Sequence, residues 1–182
     1  MKNKNKKDDH VIESLLNEPA FNENLNDLFQ KMESFTFYMY KYKSSWCPQR
    51  DNSHDSKNCL YAHHMRDFRR PPGIFDYMPD DCEHTSKNVN ITHCPKGLLC
   101  NRAHTAIEKL YHPDSYKRKN CEKFKCAKKE ICAFNHTAAE KNHAAKMCKK
   151  FRKEAGRHRV KVKNMNQVYM DHYSRPQQRM PA

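Results

Sequence analysis

The 182-residue sequence predicts a small, metal-stabilised and mostly irregular fold: tandem Cys/His modules with short helical turns, flanked by short helices and a disordered tail. Three observations carry that expectation. Leu, Ile, Val and Phe supply only 27 of 182 residues, below the roughly 20% usual for a chain that folds around an apolar core. Nine Cys and twelve His are far more than so polar a chain needs for packing. Those residues also fall into three runs with a shared ending. A large single-core enzyme is disfavoured. The remaining options are a disordered chain or small modules held by something other than apolar burial.

Alignment of the chain with itself brings out the repeat. The first run is Cys47-x6-His54-x4-Cys59-x3-His63, the second Cys82-x11-Cys94-x5-Cys100-x3-His104, and the third Cys121-x4-Cys126-x5-Cys132-x3-His136. A tyrosine stands five residues before the first Cys of each: Tyr42, Tyr77 and Tyr116. Zn²⁺ takes four tetrahedral ligands from thiolate and imidazole, and four such ligands make a closed, structural site. Three Zn²⁺ per chain are therefore expected, held by these twelve residues, with no catalytic residue. Binding energy of about 10–16 kcal/mol per site would replace the missing core. The competing reading, buried free thiols, is disfavoured by surroundings rich in Lys, Asp and Asn. His64 competes with His63, and His84 or His93 with Cys82. Cys148 has no partners at metal spacing and reads as a free thiol.

At these residues the chain resembles the CCCH zinc finger family of RNA-binding proteins, most of all the plant arginine-rich tandem zinc finger proteins and the Unkempt group. Phe37-Tyr38-Met39-Tyr40-Lys41-Tyr42-Lys43 looks like that group's aromatic and basic lead-in. Cys47, His54, Cys59 and His63 match its Cys-His-Cys-His element, and Tyr111-His112-Pro113-Asp114-Ser115-Tyr116-Lys117 its spacer before the last finger. Arg66, Arg69 and Arg70 keep a basic run between the first two modules. The resemblance covers about residues 35–137. It implies recognition of single-stranded RNA and a part in mRNA stability, processing or translation. It departs in the six-residue gap after Cys47, the eleven-residue gap after Cys82, and Arg102 where an aromatic is usual.

Charge agrees with a polyanionic partner. The net charge is +14, with residues 1–46 neutral, 47–136 at +5 and 137–182 at +9; nucleic acid comes ahead of membrane, and a merely solvated basic tail is the competing reading. Candidate RNA contacts are Tyr61, Phe124 and Phe134 as stacking rings and Arg102 as a stacking guanidinium. Lys117, Arg118, Lys119, Lys123, Lys125, Lys128 and Lys129 are candidates for phosphate. Local packing is the alternative for every ring. A DNA-binding transcription regulator and a protein-interaction scaffold are the rival functions, the former weakened by the lack of a His-x3-5-His helix.

The flanks are plainer. Val11, Ile12, Leu15 and Leu16, then Leu25, Leu28, Phe29 and Met32, lie at helical spacing and suggest two short amphipathic helices, packed together or docking a protein partner. A basic helix is expected from Thr137 to Gly156, with a disordered end after it. The expected organisation is N-terminal helices at 1–34, the first zinc element at 35–65, a basic linker at 66–76, fingers at 77–106 and 107–137, a basic helix at 138–155 and a tail at 156–182. No apolar run approaches the roughly 18 residues of a membrane span, and no signal peptide is evident. A monomer in the cytoplasm or nucleus, with reduced thiols and no enzymatic activity, is the expectation.

Overall fold

A computed structural model describes residues 23–49, 54–64, 66–85 and 94–150. The expected helix at 9–17 and the basic tail beyond residue 150 lie outside these residues. The described elements are few and short. They are helices α1 (Leu25–Lys31), α2 (Ser34–Tyr40) and α3 (Ala106–Leu110), strands β1 (Met78–Asp81) and β2 (Arg102–Ala103), and a 3₁₀ turn at Gly97–Leu99. A longer helix, α4, runs over 138–150 to the edge of the described segment.

Local chemistry sets the helix ends. The Asn24 side chain accepts the Asp27 N–H at the start of α1, and the Glu33 carboxylate accepts the Phe35 and Thr36 N–H groups at the start of α2. Thr105 and Thr137 do the same for Glu108 and Glu140, at 3.1 Å each, which is the Ser/Thr-x-x-Glu start signal. Seven-residue helices are marginal alone, so α1 and α2 depend on packing. Phe29 of α1 meets Phe37 of α2 edge-to-face at 5.0 Å.

The lead-in expected as an aromatic and basic stretch is thus a helix, and its rings open a core that composition did not foresee. Leu25, Phe37, Tyr38, Met39, Tyr42, Tyr61, Tyr111, Tyr116, Ala144 and Cys148 belong to one buried cluster. Four tyrosines form its centre. Ring centroids lie 4.6 Å apart for Tyr42 and Tyr111, 5.7 Å for Tyr111 and Tyr116, and 5.5 Å for Tyr38 and Tyr42. The expectation that metal alone organises the chain is corrected here. Tyrosine rings bury large areas, so a count of Leu, Ile, Val and Phe, which leaves them out, understates the core. The first and third Cys/His runs share this cluster, whereas Cys82, Cys94 and Cys100 of the second form their own.

Two consecutive arginines connect these parts. Arg69 and Arg70 are both 0% exposed. The Arg69 guanidinium donates to the carbonyls of Tyr38 (2.8 Å), Tyr42 (3.4 Å), Met39 and Tyr111 (2.8 Å), so it closes the C-terminal end of α2, where helix carbonyls lack partners, onto the chain after α3. Arg70 donates to the carbonyls of Leu98, Cys100 and Arg102 in the second run, at 3.0, 2.6 and 2.6 Å. The stretch read as a basic linker, 66–76, thus has a buried centre at 68–72.

Candidate metal centres and nucleic-acid interface

The three runs fold alike. In each, the residue after the leading tyrosine donates its N–H to the residue after the third ligand: Lys43 to Leu60 (2.8 Å), Met78 to Asn101 (2.9 Å), Lys117 to Ala133 (2.7 Å). In each, the first Cys donates its N–H to the residue before the closing His: Cys47 to Ala62 (3.0 Å), Cys82 to Ala103 (2.9 Å), Cys121 to Asn135 (2.8 Å). The two contacts close a loop that turns four side chains inward. The tyrosines that lead each run, Tyr42, Tyr77 and Tyr116, are 2%, 3% and 0% exposed. Lys43 and Lys117 follow two of them with φ of 60° and 57°, a left-handed turn that costs a non-glycine residue about 1–2 kcal/mol.

The result is three clusters: Cys47, His54, Cys59 and His63; Cys82, Cys94, Cys100 and His104; Cys121, Cys126, Cys132 and His136, with the ligand atoms of each within 4.8 Å of one another. His63 rather than His64 stands in the first, and Cys82 rather than His84 in the second; His93 lies outside the described residues. No disulfide competes, since all nine cysteines are free. The separations suit zinc. Tetrahedral bonds of about 2.3 Å to sulfur and 2.0–2.1 Å to nitrogen place sulfurs about 3.7–3.8 Å apart and nitrogens about 3.3–3.4 Å apart. Cys82 Sγ lies 3.7 Å from both Cys94 Sγ and Cys100 Sγ. The Cys47–Cys59 and Cys121–Cys132 pairs are at 3.9 Å, and His54 Nε2 is 3.2 Å from His63 Nε2.

Electrostatics point the same way. Both ring nitrogens of His104 are buried without a hydrogen-bond partner, an arrangement that a metal bond would relieve. Burial, helped by Arg70, holds the His104 imidazole neutral by pushing its pKa down to about 4. Burial and the neighbouring thiols push Cys94 and Cys132 up to about 11. Within the same clusters, the hydrogen bond from His136 lowers Cys126 to about 7, and burial is outweighed by hydrogen bonds that lower Cys82, so a cation would hold both the acidified and the resistant sulfurs as thiolates. Each set offers four ligands, the number of a closed, structural zinc site that holds loops together.

A feature the sequence reading missed stands behind each closing histidine. A carboxylate four residues on accepts that histidine's backbone N–H: Asp67 for His63 (3.1 Å), Glu108 for His104 (2.7 Å), Glu140 for His136 (2.6 Å). Each carboxylate also meets a buried cation: Lys43 at 2.9 Å, Arg70 at 2.7 Å and Lys117 at 3.5 Å. The signal was present as His-x3-Asp/Glu in all three runs.

The residues expected to face RNA divide sharply. Tyr61 is 6% exposed, and its hydroxyl donates to Asn24 Oδ1 at 3.1 Å, so it is a core ring with no face for a base. Lys117 is 1% exposed, under Phe35 and Tyr116, and is corrected from phosphate ligand to structural cation. Phe134 is half-buried. Phe124 is 98% exposed, and Arg102, Arg118, Lys119, Lys123, Lys125, Lys128 and Lys129 are exposed as well. Phe124 borders a groove of about 670 Å³ over the third cluster, lined also by Lys123, Lys129, Asn135, His136 and Lys141. Cys148, expected to be a spare thiol, is free but buried in the shared core.

Comparison with known proteins agrees with the geometry. Residues 36–70 match the family model for the AtC3H23-like CCCH zinc finger. The chain is 33% identical over 105 residues to the rice "Zinc finger CCCH domain-containing protein 37", covering 57% of this chain and 40% of that protein. It is 28% identical over 115 residues to the mouse "Putative E3 ubiquitin-protein ligase UNKL", covering 59% of this chain and 16% of that protein. It is 31% identical over 85 residues to the dog "RING finger protein unkempt homolog", covering 43% of this chain and 10% of that protein. The chain therefore spans less than half the length of these relatives. Among the described residues no helix is long and apolar enough to cross a membrane. With three clusters fitted to Zn²⁺ and a matched zinc-finger segment, the chain is similar to the CCCH zinc-finger proteins of plants and to the Unkempt proteins of animals.

Proposed function

We propose that this protein binds single-stranded RNA, probing it with the third zinc module, and that it acts in post-transcriptional control of mRNA. The observation that carries the reading is Phe124: a fully presented ring, 98% exposed, at the lip of a groove flanked by Lys123, Lys129 and Lys141. An isolated aromatic so exposed has no packing role, and every base has a π-face that such a ring can stack on. The zinc loop beneath fixes the ring's position. The exposed Arg118, Lys119, Lys125 and Lys128 extend the positive surface for a phosphate backbone. Duplex readers place a helix or ribbon in a groove, whereas this surface offers a single ring and a narrow basic trough. The ligase and RING terms in two relatives' names belong to those proteins, which this chain matches over small fractions of their length.

The test is fluorescence anisotropy of the zinc-loaded full chain with labelled single-stranded RNA, single-stranded DNA and duplex DNA across a salt series. The reading expects tightest binding to single-stranded RNA, with log affinity falling against log salt by about 0.7 per phosphate neutralised. Tighter binding to duplex DNA would favour the transcription-regulator reading. Absence of salt-dependent binding to all three would favour a protein scaffold.

A further inference from the structure

We infer that Asp67, Glu108 and Glu140 are positioning residues for the zinc-binding histidines, each clamping the loop that carries the closing ligand of its module. The inference starts from the threefold recurrence of one arrangement in modules that otherwise differ. The gaps between ligands vary and the first module uses His54 where the others use Cys, yet the carboxylate stands four residues after the histidine every time. Its partner is always the main-chain N–H of that histidine: 3.1 Å at His63, 2.7 Å at His104, 2.6 Å at His136. Asp67 also takes the His64 N–H at 2.8 Å. An N–H···carboxylate bond is charge-assisted and directional, so it fixes the peptide plane from which the imidazole hangs.

Each clamp is itself anchored. The cations Lys43, Arg70 and Lys117 have side chains only 3%, 0% and 1% exposed, and none comes from the stretch that carries the histidine. Arg70 reaches Glu108 through both Nε (2.7 Å) and Nη2 (2.8 Å) while holding the Cys100 carbonyl at 2.6 Å. The second clamp thus grips the third and fourth ligands of its module together. Partners of metal ligands typically change metal affinity about 10–100-fold when removed.

The full chain, loaded with three zinc ions, is titrated with a chelator. Metal is counted by native mass spectrometry and released thiols are mapped by alkylation. A parent protein that does not load three zinc ions would speak against the zinc sites themselves, separately from the clamps. Glu140→Leu is expected to weaken zinc retention about 10–100-fold at Cys121, Cys126 and Cys132, with Cys82, Cys94 and Cys100 unchanged. Glu108→Leu is expected to do the same at the second cluster. Should its burial prevent folding, Glu140, whose side chain is 26% exposed, carries the test. Two further variants separate positioning from mere neutralisation of a buried lysine. Glu140→Gln keeps an acceptor oxygen for the His136 N–H and is expected to retain more zinc than Glu140→Leu. The double variant Lys117→Met/Glu140→Leu is expected to stay weakened. Unchanged retention in Glu140→Leu, equal loss in the Gln and Leu variants, or recovery in the double variant would overturn the inference.

Discussion

Replacing Phe124 with alanine separates recognition from folding in this protein. The ring is 98% exposed, so its loss removes almost no buried area and opens no cavity. Surface substitutions of this kind change stability by less than about 0.5 kcal/mol, and zinc content should stay at three per chain. If the ring stacks on a base, its removal costs about 1–3 kcal/mol of binding, or about 5- to 150-fold in affinity. The groove lysines remain, so the salt dependence should be unchanged while the whole affinity line drops. The assay is anisotropy with single-stranded RNA at several salt concentrations, with thermal unfolding of the zinc-loaded variant as control. Unchanged affinity in a folded, zinc-loaded Phe124→Ala protein would refute the stacking argument. An altered salt slope with no other loss would mean that the ring only orients neighbouring lysines.

Three other outcomes follow, two from side chains that the structure places in the interior and one from exposed lysines. Tyr61→Phe should leave RNA affinity unchanged, because the ring has no outer face, and should cost about 0.5–1.5 kcal/mol of stability through the lost hydroxyl bond to Asn24; chemical denaturation measures the latter. Cys148→Ser should keep three zinc ions per chain, yet destabilise the fold by about 1–3 kcal/mol by burying a hydroxyl in the aromatic core. Lys123→Ala and Lys129→Ala together should shallow the salt slope of RNA binding by about 1.4, read from the same anisotropy series; an unchanged slope would remove both lysines from the phosphate path.

The metal clusters were legible in the sequence because zinc coordination is a local constraint. Four soft ligands must converge within a few ångströms, and short loops can do this only at restricted spacings, so Cys-x3-His recurred visibly. The shared core was hidden because it is built across distance. Tyr38, Tyr42, Tyr111 and Tyr116 meet only after α2 and the chain after α3 come together. Arg69 and Arg70 looked like surface charge. In loops with few backbone pairs, a guanidinium with five donors becomes the partner of orphaned carbonyls, which is why both are buried. Tyr61 and Phe124 show the same limit from the other side. Both are rings within zinc modules, but Tyr61 is covered by the chain at the start of α1 and by the shared core, while Phe124, at a different place in its loop, is bare. The carboxylate after each histidine was there to be read, but single acidic residues are common and their meaning needed the hydrogen bonds.

The most direct test of the whole account is a metal count on the purified chain. Native mass spectrometry combined with thiol alkylation should find three zinc ions per protein, with the eight cluster cysteines protected until a chelator is added and then modified as zinc leaves, and Cys148 shielded by burial in the core. A chain that folds with no zinc, or whose cluster cysteines alkylate freely while zinc is in excess, would contradict it.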